Sequence, residues 1–213
     1  MLAPLLALSL AAAGDRAMSA APTFASLEGG EPLGVGTTEA VFSAGYSVLS
    51  ATWAQGLSDA VDFGALIDFD WTTSEVLLGG LYRSLVWRSG VASLALRARG
   101  GFYADFGATW AASANRSDAG LQVAPGVALA VRSARGILSV AADAPLTVTF
   151  SRGGGYAAGL RGSVAFETPL WGDLLAGARA GVGATWSGEG APFARDSPRA
   201  VLDLAALLTY RLF

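Results

Sequence analysis

The sequence predicts an all-β protein: a single antiparallel transmembrane β-barrel of about ten strands, with eight or twelve also compatible with the spacing of its segments. Two observations lead there. In residues 61–71, Val61, Phe63, Ala65, Ile67, Phe69 and Trp71 are apolar, and Asp62, Asp68 and Asp70 stand among the residues between them. Strand side chains alternate faces with period two, so one face is apolar and the other acidic. The same pattern returns in segment after segment to the end of the chain. Second, 53% of the 213 residues are hydrophobic, yet no run matches the about 20 predominantly apolar residues of a membrane-spanning helix. Hydrophobicity spread over short alternating segments is what a barrel with a lipid-facing exterior requires. The 28 glycines suit turns and a crowded barrel wall better than helices.

Ten segments carry the alternation. In 37–44, Ala40, Phe42 and Ala44 oppose Glu39, and in 48–55 Leu49, Ala51 and Trp53 share a face. The turn Gly56-Leu57-Ser58-Asp59 leads into 60–71, and Thr72-Thr73 forms the tip of the next hairpin. That centre sets Asp62 opposite Arg83. Segment 75–87 has leucines on both faces, and turning Arg83 inward leaves Val76, Leu78, Tyr82 and Val86 outward. In 91–103, Leu94, Leu96 and Phe102 oppose Ser93, Arg97 and Arg99. The inner face of 121–132 is nearly all small and leaves room for water, so an arginine at Val127 should be tolerated less well than one at Ala128. Segment 138–150 sets Leu138, Val140, Val148 and Phe150 against Asp143, and 156–167 sets Tyr156, Leu160, Val164 and Phe166 against Arg161 and Glu167. Arg179 lies among inner glycines of 174–186. Finally, 200–213 opposes Leu202, Leu204, Leu208 and Tyr210 to Asp203 and Arg211. Loops 104–120 and 187–199 are long and are the natural places for external contacts.

The N-terminus reads as an export address. Residues 2–10 form a short apolar core followed by Ala11-Ala12-Ala13, although the first basic residue is Arg16. Residues 1–21 are therefore expected to be a signal peptide, cleaved after Ala13 or near Ala21. A net charge of -3 with no lysine and no basic patch gives nucleic-acid binding no footing. With no cysteine there is no disulfide frame, and with no histidine the commonest metal ligand and general base are both missing. No catalytic residue, cofactor or metal site is expected, and the chain is not expected to be an enzyme.

The chain resembles small bacterial outer-membrane β-barrel proteins, without pointing to a subfamily. The resemblance rests on three features: the hairpin Gly56-Leu57-Ser58-Asp59, the closing strand Tyr210-Arg211-Leu212-Phe213, and the aromatics Trp53, Trp71, Trp87, Trp186 and Tyr210 near strand ends. It covers roughly the last four-fifths of the chain. It implies a bacterial outer-membrane location, outer-membrane lipids and the barrel-assembly machinery as partners, and Phe213 as assembly signal. It also implies an N-terminal periplasmic segment at 22–36, a barrel at 37–213, and aromatics at the membrane interface.

The inner faces carry Asp62, Asp68, Arg83, Arg97, Arg99, Asp143, Arg161, Arg179 and Asp203. Bare charge inside a narrow barrel costs several kcal/mol, so mixed signs imply a self-neutralising network that fills the lumen. The expected function is structural, or surface interaction with an extracellular ligand through loops 104–120 and 187–199. The alternatives are a narrow passive diffusion pore and a soluble exported lipid-binding β-barrel.

Overall fold

The computed structural model describes residues 26–72, 74–106, 118–150, 155–188 and 199–212. The alternating segments form a closed antiparallel barrel of ten staves. In chain order the strands are β1 (Thr38–Gly45), β2 (Val48–Ser58), β3 (Val61–Asp70), β4 (Glu75–Ser89), β5 (Ala92–Asp105) and β6 (Asp118–Ser133). They continue as β7 (Gly136–Asp143), β8 (Leu146–Thr149), β9 (Gly155–Trp171), β10 (Leu174–Ser187) and β11 (Arg199–Arg211). Consecutive strands pair around the ring, and β1 pairs with β11 from Glu39↔Arg211 to Gly45↔Ala205. Closure leaves no unpaired sheet edge.

β7 and β8 are two halves of the single segment expected at 138–150. β6 pairs with both in one unbroken register, Gly126↔Asp143 on one side of the gap and Val123↔Leu146 on the other. Only Ala144 and Pro145 leave the ladder, because proline has no N–H to give it. Their neighbours close the gap: Ala144 N donates to Pro125 O at 2.8 Å, and Gly159 N donates to Pro145 O at 2.8 Å.

The hairpin of β3 and β4 has the register that a Thr72-Thr73 centre requires, from Val61↔Ser84 through Asp62↔Arg83 to Asp70↔Glu75. Thr73 itself lies outside the described residues. Ser74 takes a left-handed φ of 58° to complete the turn. The alternation of β4 slips once, at a bulge between Leu85 and Trp87, which turns both Val86 and Trp87 outward.

The faces follow the hydrophobic pattern. Phe42, Leu78, Phe102, Leu121, Val140, Val164 and Leu204 point out and are exposed, whereas Glu39, Asp62, Arg83, Ser93, Ser139, Glu167 and Thr209 point in and are buried. At one rim lie both ends of the ring and the two-residue turns after β2, β4, β6 and β9. The connections after β1, β3, β5, β8 and β10 are at the other rim, which is called the long-loop rim below.

One expectation is corrected, and the segment preceding β1 adds a feature that strand alternation does not carry: from Ser26 to Leu33 it lies within the barrel, with Ser26, Glu31, Pro32 and Leu33 all buried. It enters at the short-turn rim, where Gly36 N donates to Gly56 O at 3.0 Å. The small residues of β6 are not simply room for water either. Ala128 has 0% of its surface exposed, and a β-carbon on Gly30 would lie 2.3 Å from Ala128 O. An arginine at Ala128 therefore meets the N-terminal segment rather than water.

Candidate functional site

The inner face and the N-terminal segment have to be taken together, because each supplies charges to the other. Leu27-Glu28-Gly29-Gly30-Glu31-Pro32-Leu33 brings two carboxylates and two apolar side chains into a bore lined with both arginines and carboxylates. The two glycines allow the close approach. A β-carbon on Gly29 would meet Ser139 Oγ at 2.6 Å, and one on Gly30 would meet Ser93 O at 2.7 Å. Leu33 packs with Ala54, Leu66, Leu77, Leu81 and Tyr103, with Leu27 against the same cluster. The segment is thus an apolar stopper with charged edges.

Arg83 is the firmest link between wall and stopper. Its guanidinium is 1% exposed and pairs with Asp62, Nη2 to Oδ2 at 2.6 Å and Nε to Oδ2 at 2.8 Å. Its Nη1 also donates to the carbonyls of Ser26 and Gly29, the latter at 2.9 Å. Asp62 in turn accepts from Leu33 N at 3.0 Å. Ser26 Oγ donates to Glu167, which also accepts from Thr209 Oγ1 at 2.7 Å.

The two acidic residues of the stopper are held at different heights. Glu31, buried near the short-turn rim, lies 2.8 Å from Arg88 and 3.8 Å from Arg132. Glu28, at the inner end, pairs with Arg179 at 2.7 Å, and its carbonyl accepts from Arg97 at 3.3 Å. Burial works against the Glu28 charge. The guanidiniums of Arg179, Arg99 and Arg97, with the Arg179 hydrogen bond, outweigh it and hold this carboxyl below its usual range.

Of the residues expected to line the lumen, four pairs come together. Besides Asp62 with Arg83, Arg97 makes a two-point contact with Asp143, Nε to Oδ1 at 2.8 Å. Arg179 reaches Asp203 at 2.8 Å, and Arg99 reaches Asp68 at 3.5 Å. Arg161 makes no ion pair within 4 Å among the described residues. Arg211 and Glu39 form a further pair across the seam between β1 and β11, at 3.8 Å.

Above the stopper a cavity of about 220 Å³ remains. Glu28 forms its floor, and Arg97, Arg99, Arg161, Arg179 and their acidic neighbours form its walls. Ser47, Asp70 and Glu75 place its upper end at the long-loop rim.

The aromatics are exposed on the outer surface. Trp71 follows the end of β3, Trp87 and Trp186 sit near the ends of β4 and β10, and Tyr210 is next to the end of β11. Trp53 instead falls at the midpoint of β2. Phe213, the signal-peptide residues 1–21 and most of loops 104–120 and 187–199 lie outside the described residues. Comparison with family models, with curated proteins and with solved structures found no match to this chain.

Sequence reasoning missed Glu28 and Glu31, because they belong to no alternating segment. The signal present was their setting: two carboxylates around a Gly-Gly pair just ahead of the first strand.

Removing one partner of a buried ion pair leaves the other charge uncompensated. Asp62→Ala should therefore lower stability by about 3–5 kcal/mol, read as the urea midpoint of the folded barrel. Because the Glu28 carboxyl is depressed in the folded state, its contribution is fully present above its ordinary range and is lost as pH falls through the folded value. Acidification should accordingly lower the hydrogen-exchange protection of the Leu33 amide, measured against its intrinsic rate at each pH, and Glu28→Gln should flatten that pH dependence.

Proposed function

We propose that this chain is an integral β-barrel of a bacterial outer membrane, closed by its own N-terminal segment, with a structural or surface-interaction role at the long-loop rim. The observation that carries this reading is the direction of its polarity. Large apolar side chains cover the outside of consecutive strands, and arginines and carboxylates are turned inside. A soluble lipid-binding barrel needs the reverse, an apolar cavity within a polar exterior. An apolar outer band, with aromatics at both ends of the strands and a polar interior, is what a bilayer asks of a barrel. On this reading Trp71, Trp87, Trp186 and Tyr210 meet the membrane interfaces. The partners are outer-membrane lipids and the assembly machinery that inserts such barrels, and the reading involves no catalytic step.

The stopper favours a closed barrel over a diffusion pore. A ten-stranded bore is already far narrower than that of the 16–18-stranded porins with their aqueous channel. Here Ser26 to Leu33 fill the short-turn half of it and are tied to the wall through Arg83, Arg88, Arg97 and Arg179. In a planar bilayer the native protein should show no stable conductance. Deletion of residues 26–33, or the double substitution Glu28→Ala with Glu31→Ala, should produce discrete current steps. Large channels from the native protein would overturn the closed reading in favour of the pore.

The outward assignment has its own test, on β9. Val164 faces out, whereas its neighbour Ser163 lines the cavity. Val164→Arg should cost about 2–4 kcal/mol near a bilayer midplane, while Ser163→Arg extends into polar space. The first variant should fail to fold into lipid vesicles as judged by heat-modifiable gel mobility, and the second should fold. Equal folding of both would count against a lipid-facing exterior.

A further inference from the structure

Two charges of opposite sign in the upper cavity are left without a partner by the network that satisfies the others. Arg161 of β9 and Glu75 of β4 both line it, and neither makes an ion pair within 4 Å among the described residues. They stand on nearly opposite walls of this one cavity. The remaining charges around Arg161 are already engaged: Asp143 with Arg97, Asp203 with Arg179, and Arg99 with Asp68. Glu75 sits between Asp70 and Asp105 in the register of β3, β4 and β5, so three carboxylates stand side by side on that wall. Separated charges of this kind in a low-dielectric wall are costly unless solvent or a ligand spans them.

We propose that this cavity is a binding site for a small zwitterion, a solute carrying one carboxylate and one ammonium group. The carboxylate meets the guanidinium of Arg161, whose planar fork suits two-point recognition of a carboxylate. The ammonium meets the carboxylate of Glu75. A simple anion would satisfy Arg161 but face the acidic wall, and a simple cation would leave Arg161 bare. The hydroxyl of Ser163 and the amide of Gln122 also border the space and offer hydrogen bonds to the body of the solute. Entry is from the long-loop rim, since Glu28 and the stopper close the floor. The direction of entry rests on the closed-barrel reading, but the site itself does not.

The test uses the full-length protein folded in detergent, with heat-modifiable mobility as the check on folding, and measures binding by calorimetry. Glycine, β-alanine and γ-aminobutyrate form a series of increasing charge separation, with propionate and propylamine as single-charge controls. At least one zwitterion should bind about tenfold more tightly than either control. Arg161→Gln and Glu75→Gln should each weaken it by about tenfold, and the double exchange Glu75→Arg with Arg161→Glu should restore binding to within about threefold. Should the variants fail to fold, the comparison of the five probes on the native protein decides alone. No binding of any zwitterion means the cavity holds water only and overturns the proposal. Propionate or propylamine binding as tightly as the best zwitterion overturns it too, in favour of an anion or a cation site. Conductance of the native protein bears on the stopper and leaves this result untouched.

Discussion

The buried guanidinium of Arg83 joins the two parts of this molecule, and the interior is organised around its needs. An arginine taken out of water requires a counter-charge and hydrogen-bond acceptors for the rest of its fork. Asp62 on the adjacent strand supplies the charge, and the carbonyls of Ser26 and Gly29 supply acceptors from the N-terminal segment. The wall thus provides the charge and the stopper completes its hydrogen bonding. Removing either leaves a polar group stranded inside a closed sheet. Leu33 N bonded to Asp62 makes the dependence mutual.

From that link the remaining architecture follows by level. On the side of the bore formed by β2 to β5, Leu27 and Leu33 are set into the apolar cluster of Leu66, Leu77, Leu81 and Tyr103. In the middle, Glu28 meets Arg97 and Arg179, so the inner tip of the stopper is also the floor of the cavity above. Beyond it the pairs loosen, from the two-point contact of Arg97 with Asp143 to the 3.5 Å approach of Arg99 to Asp68. Arg161 and Glu75 are then left unmatched within 4 Å among the described residues.

The strand ladder was legible before any coordinates. Alternation of Val61, Phe63, Ala65 and Ile67 with Asp62 and Asp68 fixes both strand and face, because a slip of one residue would put carboxylates on the apolar exterior. The hairpin centred on Thr72-Thr73 then determines that Asp62 meets Arg83, since antiparallel register leaves no freedom once the turn is placed. Where local rules give way, the reading blurs. The bulge between Leu85 and Trp87 shifts a phase that the even distribution of leucines in β4 had already made faint, and Pro145 interrupts a stave without altering its register.

What the sequence by itself determined is the wall: its strands, their faces, and the charges that must pair within it. Period-two chemistry is local and repeats often enough to be read without a partner strand. Only the tertiary structure decided what fills the wall. Glu28-Gly29-Gly30-Glu31 has no periodicity, and its meaning depends on Arg83, Arg88, Arg97, Arg132 and Arg179, which lie far away in the chain and converge only once the barrel closes. The same holds for the space above it. That Arg161 lacks an ion-pair partner among the described residues, while every other arginine in the expected lumen network has one, depends on distances across the bore, and a one-dimensional pattern carries no information about those.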